Sequence, residues 1–136
     1  MVSRSEVLAF VDAKLAYEID TVAAADAQTS GAAMIVDTRK QLSWDQGHVR
    51  GALHLPADNL EAQLATLPRD RTLIVYGWGP SCNGATHTAR RLIDEGFDVR
   101  ELRGGYEYWV RNRFPVEQAA AVMPREADPL VTAELH

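Results

Sequence analysis

The sequence has one cysteine and four histidines, and these residues are scattered instead of paired at the spacing of a zinc site. Because one cysteine cannot close a disulfide within the chain, we expect a reducing, cytoplasmic location. No apolar run approaches the roughly 20 residues that a membrane-spanning helix needs, and no basic run offsets the net charge of −5. We therefore expect no metal or organic cofactor, no membrane and no nucleic acid as a partner.

The composition that remains is that of one folded domain. Of the 136 residues, 46% are hydrophobic and 24% are charged, which suits a chain with its own core. Short apolar runs at residues 33–37 and 73–76 are typical of buried parallel strands, and residues 98–102, which follow a glycine at the end of a predicted helix, are a further predicted strand. Segments with helical spacing of apolar residues separate these runs. Strands that alternate with helices predict an α/β fold with a mainly parallel sheet.

The two ends of the chain have different patterns. A first helix is predicted from a serine cap, Ser3 or Ser5, to about Lys14. The apolar face of this helix comprises Val7, Leu8, Phe10, Val11 and Leu15. From residue 117 the chain is alanine-rich, and we interpret residues 117–136 as a tail that docks on the body or on a second copy in a homodimer.

The single cysteine lies in a loop between a predicted strand, residues 73–76, and a predicted helix, residues 85–95. N–H groups in the first turn of a helix lack intrahelical acceptors and favour an anion, such as a thiolate, in the preceding loop. Cys82 is therefore a candidate nucleophile, although a small buried apolar side chain is the alternative. Arg39 follows another strand and reaches the same sheet edge, where ligands of such folds bind. It either faces a substrate or supports the loop through Asp37.

Three stretches resemble the rhodanese-like domain. Residues 36–39 read Val-Asp-Thr-Arg, and the segment from Gly47 to Pro56 reads Gly-His-Val-x-Gly-Ala-x-x-x-Pro. Residues 102–109 place a Gly-Gly turn before a helix that carries a tryptophan. The resemblance covers about residues 5–116, so we expect a rhodanese-like domain over residues 1–116. It implies a five-stranded parallel sheet with helices on both faces.

The resemblance also implies sulfurtransferase activity. In such chemistry a cysteine takes sulfane sulfur from thiosulfate or a persulfide donor, and passes it to a thiol or a cyanide-type acceptor. A protein sulfur carrier is a further partner that the resemblance suggests. The position of the loop at this edge of the sheet makes it, together with Arg39, the candidate substrate-binding set. The loop residues of this set are Trp78, Gly79, Ser81, Asn83, Gly84 and Ala85.

The sequence departs from the family pattern at the nucleophile. The family's cysteine directly follows the aromatic residue that ends the strand, and here Gly77 occupies that position. The loop resembles a subgroup that reads Tyr-Cys-x-Gly-Pro-x-Cys-Asn-Gly, of which only the second cysteine, Cys82, is present. Two functions follow from this departure. Cys82 carries the sulfur in place of residue 77, or the domain binds an anion, a sulfur carrier or a protein through residues 77–85 without turnover.

A phosphatase function is not supported by the spacing of the loop. Related folds hydrolyse phosphate esters with a Cys-x5-Arg loop, in which a bidentate guanidinium holds the phosphate. Counted from Cys82, the required arginine falls at Thr88, and Gly77 supplies no cysteine. We therefore expect sulfur chemistry or binding at this loop.

Overall fold

The computed structural model describes residues 1–118. Helices and strands alternate along most of this part of the chain. Its α-helices are α1 (Arg4–Tyr17), α2 (Thr21–Ser30), α3 (Gln41–Gln46), α4 (Leu60–Gln63), α5 (Gly84–Asp94) and α6 (Gly105–Arg111). Its strands are β1 (Glu18–Ile19), β2 (Ala33–Asp37), β3 (His48–Val49), β4 (Leu53–His54), β5 (Thr72–Tyr76), β6 (Val99–Leu102) and β7 (Val116–Glu117).

Five strands form one parallel sheet in the order β1-β6-β5-β2-β4. The central strands β2 and β5 pair along their whole length, from Ala33 beside Thr72 to Asp37 beside Tyr76. Both strands are buried on both faces because their residues are apolar at successive positions, as in parallel sheets covered by helices. The expected five-stranded parallel sheet is confirmed.

Two hydrophobic clusters lie on opposite faces of this sheet. One combines Ile35 and Ile74 with Ala24 of α2 and Trp109 of α6. The other combines alternate residues of the same strands, such as Val75, with residues of α4 and α5. Since successive side chains of a strand point to opposite faces, each central strand contributes to both clusters. The expected helices on both faces of the sheet are therefore present.

The first helix is capped as expected, but its apolar residues are not buried. Ser3 caps α1 in a capping box with Glu6, which satisfies backbone N–H groups at the start of the helix. None of its 14 residues is buried. The exposed apolar residues are Val7, Leu8, Phe10, Val11 and Leu15. The expected apolar residues are therefore present, but they stay largely exposed and do not join the core of the described residues.

A small antiparallel pair lies outside the main sheet. Strand β3 pairs with β7, so that His48 lies beside Glu117 and Val49 beside Val116. The predicted boundary at residue 117 thus falls inside a strand that joins the body. The remainder of the predicted tail, residues 119–136, lies outside the described residues. Within residues 1–118, no helix has the length and apolar character required to cross a membrane.

Candidate active site

The loop that contains the cysteine leaves the carboxyl end of β5 and is anchored to the start of α6. The carbonyl of Gly77 accepts a hydrogen bond from the N–H of Tyr106 at 2.9 Å. The carbonyl of Trp78 accepts one from the N–H of Glu107 at 2.8 Å. These N–H groups belong to the first turn of α6, which has no intrahelical acceptors for them. The loop conformation is therefore fixed by backbone contacts with a neighbouring helix.

Gly105 permits this close contact between the loop and α6. Its φ of +61° lies in the left-handed region, where residues with a Cβ are strained. A Cβ at this position would lie 2.7 Å from the Gly77 carbonyl oxygen and 2.9 Å from the Gly79 nitrogen. The Gly-Gly turn of the sequence motif thus brings α6 against the loop backbone.

The thiol of Cys82 lies in front of Gly77. Its Sγ is 3.2 Å from the position that a Cβ on Gly77 would occupy, and 3.6 Å from that of Gly84. The loop turns back to this point through a hydrogen bond from the Cys82 N–H to the Gly79 carbonyl at 3.1 Å. The sulfur therefore fills the space at the end of β5 into which a side chain at residue 77 would project, beside the start of α5.

A cavity of about 240 Å³ opens beside this sulfur. Four loop residues, Gly77, Gly79, Pro80 and Cys82, form one wall, and residues 101–105 form another. Lys14 of α1 and Glu18 of β1 complete the lining. We refer to this space as the Cys82 cavity. Three of the predicted site residues line it: Gly77, Gly79 and Cys82.

Four charged residues line the Cys82 cavity: Lys14, Glu18, Glu101 and Arg103. Lys14 Nζ lies 2.8 Å from Glu18 Oε1, and Arg103 Nε lies 3.7 Å from the same oxygen. We call these four residues the cavity charges. The sequence interpretation missed all of them because they lie far from Cys82 along the chain. The only available signal was strand order, which brings the ends of β5 and β6 to one edge.

Glu101 is held in place by two hydroxyl groups. Its Oε1 accepts hydrogen bonds from the Tyr17 hydroxyl at 2.7 Å and from Thr86 Oγ1 at 2.8 Å. Burial raises the pKa of Tyr17, and the hydrogen-bonded Glu101 carboxylate raises it further. Tyr17 is therefore a neutral hydrogen-bond donor over the physiological pH range. Its contact links the end of α1 to the wall of the Cys82 cavity.

Arg39 lies on the other side of the loop, in a buried ion pair with Asp37. Its Nη2 lies 2.7 Å from Asp37 Oδ2 and donates to the Gly47 carbonyl at 2.6 Å. The guanidinium carbon lies 4.4 Å from the ring centre of Trp78 and 4.2 Å from that of Tyr106. Burial opposes its charged form, but hydrogen bonding and charge attraction from Asp37 outweigh burial and raise the pKa of Arg39. The charge is thus retained in a nearly dry environment.

Tyr76 completes this buried cluster. Its hydroxyl donates to Asp37 Oδ2 at 2.5 Å and accepts from the Val49 N–H at 3.0 Å. Burial is the main cause that raises the pKa of Tyr76 well above its ordinary value. The hydroxyl therefore stays protonated and joins the end of β5 to β3.

The remaining predicted site residues lie around the Cys82 cavity and do not line it. Arg39 pairs with Asp37, and only 2% of its side chain is exposed. Trp78 is buried against Arg39 and Tyr106. Ser81 and Asn83 are exposed. Gly84 and Ala85 begin α5, where their N–H groups belong to the first turn.

His48 and His54 both have structural contacts. The rings of Trp44 and His48 stack with centres 3.4 Å apart, and His48 Nδ1 lies 2.8 Å from the Trp44 carbonyl oxygen. His54 Nε2 lies 2.6 Å from the Arg39 carbonyl oxygen. Among residues 1–118, no group of three or more His, Cys, Asp or Glu side chains is arranged to hold a metal ion.

The sequence of this chain is similar to that of a known protein family. A sequence model of the rhodanese-like domain matches residues 20–112. The HTH-type transcriptional regulator Rv0324 of Mycobacterium tuberculosis is 32% identical over 93 residues, which cover 68% of this chain and 41% of the regulator. The chain thus matches about two fifths of that relative's length.

Solved structures share the architecture over most of the chain. The crystal structure of the BH2092 protein from Bacillus halodurans has a TM-score of 0.77 and 30% identity, and covers 93% of this chain and 96% of that one. The rhodanese-like domain of the Alr3790 protein from Anabaena sp. has a TM-score of 0.67 and 28% identity, with 82% and 86% covered.

Proposed function

Because the chain belongs to the rhodanese-like domain family, we propose that it transfers sulfane sulfur through Cys82. The observation that carries this proposal is the position of the thiol. Cys82 Sγ lies 3.2 Å from the position that a Cβ on Gly77 would occupy. By its resemblance to the family, residue 77 is the position where the nucleophilic cysteine is expected. Cys82 therefore supplies a sulfur atom at the strand end where the family places its own.

The proposed reaction has two steps, each an exchange at sulfur. The Cys82 thiolate attacks the outer sulfur of thiosulfate or of a persulfide, and the donor's S–S bond breaks. Sulfite or the donor thiolate leaves with the electron pair, and Cys82 becomes a persulfide. An acceptor thiolate or cyanide then attacks the terminal sulfur, and the Cys82 thiolate leaves. The first-turn N–H groups of α5 favour the anionic sulfur in both states.

Intact-protein mass spectrometry tests the first step. After incubation with thiosulfate or with a cysteine persulfide, we expect a gain of about 32 Da that a reductant removes, as thiol–disulfide chemistry requires. Cys82→Ser is the control, and it should gain nothing. A folded protein that gains no sulfur from either donor would contradict the proposal. That result would favour the alternative function, in which residues 77–85 bind an anion, a sulfur carrier or a protein partner without turnover.

A cysteine at position 77 tests the geometry. Within a disulfide, Cβ lies about 3.0 Å from the sulfur of the other cysteine, close to the 3.2 Å between the Gly77 Cβ position and Cys82 Sγ. We expect Gly77→Cys to form a disulfide with Cys82 under mild oxidation, which blocks sulfur uptake until reduction. Gly77→Ser adds a side chain of similar size without a thiol and should not show this redox dependence. Two free thiols in oxidised Gly77→Cys would show that Cys82 lies elsewhere.

A further inference from the structure

The cavity charges point to the kind of molecule that exchanges sulfur with Cys82. We infer that this partner is a small zwitterionic thiol, with an ammonium and a carboxylate group near its sulfur, or the persulfide of such a thiol. The inference rests on the proposed function of Cys82 and narrows its substrate class. It follows from the sign, position and hydrogen bonding of the cavity charges, and from the size of the cavity.

The cavity charges include both signs in equal number. Lys14 and Arg103 are positive, whereas Glu18 and Glu101 are negative, so the lining has no net charge. Glu18 lies between the two cations, within 2.8 Å of Lys14 Nζ and 3.7 Å of Arg103 Nε. A small dianion such as thiosulfate would be attracted by two groups and repelled by two. A molecule with one positive and one negative group gains attraction at both ends.

A carboxylate group of the ligand has cations available to it. The side chains of Lys14 and Arg103 are 45% and 66% exposed, so both can turn toward a ligand at the cavity mouth. A guanidinium also matches a carboxylate in a bidentate arrangement. Because the present contacts with Glu18 are solvated, their exchange for a ligand carboxylate is energetically modest.

An ammonium group of the ligand has an acceptor in Glu101. Both hydroxyl donors, Tyr17 and Thr86, bond to Oε1 of this carboxylate. Within residues 1–118, Oε2 has no hydrogen-bond donor in contact with it. The two hydroxyls fix the carboxylate while one oxygen remains available. Glu101 is thus a preorganised acceptor in the wall of the Cys82 cavity.

The size of the cavity limits the ligand further. Its volume of about 240 Å³ is below the roughly 300–1,000 Å³ of pockets that hold drug-sized ligands. It suits a molecule the size of an amino acid, and it is too small for a nucleotide-bearing thiol to enter whole. The cavity therefore favours a compact thiol whose charges lie within a few bonds of the sulfur.

Disulfide exchange with three small probes tests this inference without requiring sulfur transfer. Cystine is zwitterionic at each end, cystamine is cationic, and dithiodiglycolate is anionic. In each reaction the Cys82 thiolate attacks one probe sulfur, the probe's S–S bond breaks, and the other half leaves as a thiolate. Intact mass gives the rate of mixed-disulfide formation. The rate for the same chain in denaturant corrects for the intrinsic reactivity of each probe.

We expect cystine to react faster than both other probes in the folded protein, on the order of threefold to tenfold after this correction. Glu101→Gln should lower the rate at which Cys82 reacts with cystine and raise the rate with dithiodiglycolate. Arg103→Gln should lower the rate with dithiodiglycolate and raise the rate with cystamine. Asp26→Asn and Arg50→Gln make the same charge changes at exposed residues that do not line the cavity, and should leave the order of the probes unchanged.

Three results would overturn the inference. One is a fastest corrected rate for the anionic or the cationic probe. Another is a preference for cystine that is unchanged in both Glu101→Gln and Arg103→Gln. The third is a folded protein that reacts with no probe although the unfolded chain reacts. None of these results decides whether Cys82 accepts sulfane sulfur, because the gain of about 32 Da is measured separately.

Discussion

Two groups of charged side chains flank the same loop, and burial separates their roles. Asp37 and Arg39 lie beneath the loop, with 0% and 2% of their side chains exposed. The cavity charges lie above it, and the Lys14 and Arg103 side chains are about half exposed or more. The buried pair has neighbours on all sides and positions the loop. The solvated group keeps charges that a ligand can displace.

The energetic consequence of losing one partner differs between the two groups. A buried ion pair that loses one member leaves an uncompensated charge in a nonpolar environment, which costs about 3–5 kcal/mol. A solvated pair contributes only about 0–1 kcal/mol, because water and salt replace the missing partner. The comparison therefore predicts that substitutions of Asp37 or Arg39 lower the free energy of unfolding strongly, whereas substitutions of the cavity charges lower it little.

Arg39→Met should have the largest effect, because it leaves the Asp37 carboxylate buried without its cation. We expect the free energy of unfolding, measured by urea denaturation, to fall by about 3–5 kcal/mol. Arg103→Met is the matched control, since its guanidinium is exposed, and it should lose less than about 1 kcal/mol. Equal losses in the two variants would remove the distinction between the groups.

Gly105→Ala should have the second-largest effect on stability, because it disrupts the contact between α6 and the loop. The new Cβ would lie 2.7 Å from the Gly77 carbonyl oxygen. We expect a loss of about 3 kcal/mol from steric overlap and left-handed backbone strain together, and a changed rate of Cys82 alkylation by iodoacetamide. Gly31→Ala shares the left-handed φ, at +82°, but meets nothing within 4 Å. It should lose only about 1 kcal/mol, so identical losses would exclude the steric cause.

Tyr76→Phe should cost somewhat less, about 2 kcal/mol, because the Val49 N–H loses its acceptor and Asp37 loses a donor. The effect should depend on pH. The pKa of Tyr76 is raised in the folded state, so its contribution is complete below the ordinary tyrosine pKa of about 10 and declines above it. The difference between wild type and variant, measured by urea denaturation, should therefore narrow above pH 10. A constant difference would contradict the role of the hydroxyl.

Glu18→Gln should have the smallest effect on stability, less than about 1 kcal/mol, since its partners are solvated. Removal of this negative charge should nevertheless accelerate the reaction of Cys82 with dithiodiglycolate. Asp26→Asn provides the control for a carboxylate that does not line the cavity. A large loss of stability in Glu18→Gln would place this residue with the structural group.

The fold was predictable because its strands are encoded locally. Residues 33–37 and 73–76 are apolar at successive positions, which is typical of strands covered on both faces. The cap of the first helix was predictable for the same reason, because the Ser3 side chain accepts from the N–H of Glu6, three residues away. The two-residue strands β3 and β7 lack such a signal, since only their pairing defines them.

The candidate site was predictable only in part. Cys82 and the loop were found from a strand–loop–helix pattern within one stretch of sequence. The cavity charges come from positions 14, 18, 101 and 103, which meet because β6 lies between β1 and β5. The position of Arg39 beneath the loop also depends on long-range packing with Tyr106. An apolar pattern likewise does not reveal whether anything covers it, as the exposed residues of α1 demonstrate.

Helix α1 has a consequence for the kinetics of local opening. None of the 14 residues of α1 is fully buried, and the helix is held by its capping box, by the Lys14–Glu18 ion pair and by the contact of Tyr17 with Glu101 at its carboxyl end. Its amide protons should therefore exchange with solvent much faster than those of β5, without unfolding of the sheet. Each such opening moves Lys14 away from the Cys82 thiol. The fraction of time for which all four cavity charges line the cavity therefore depends on how often α1 opens.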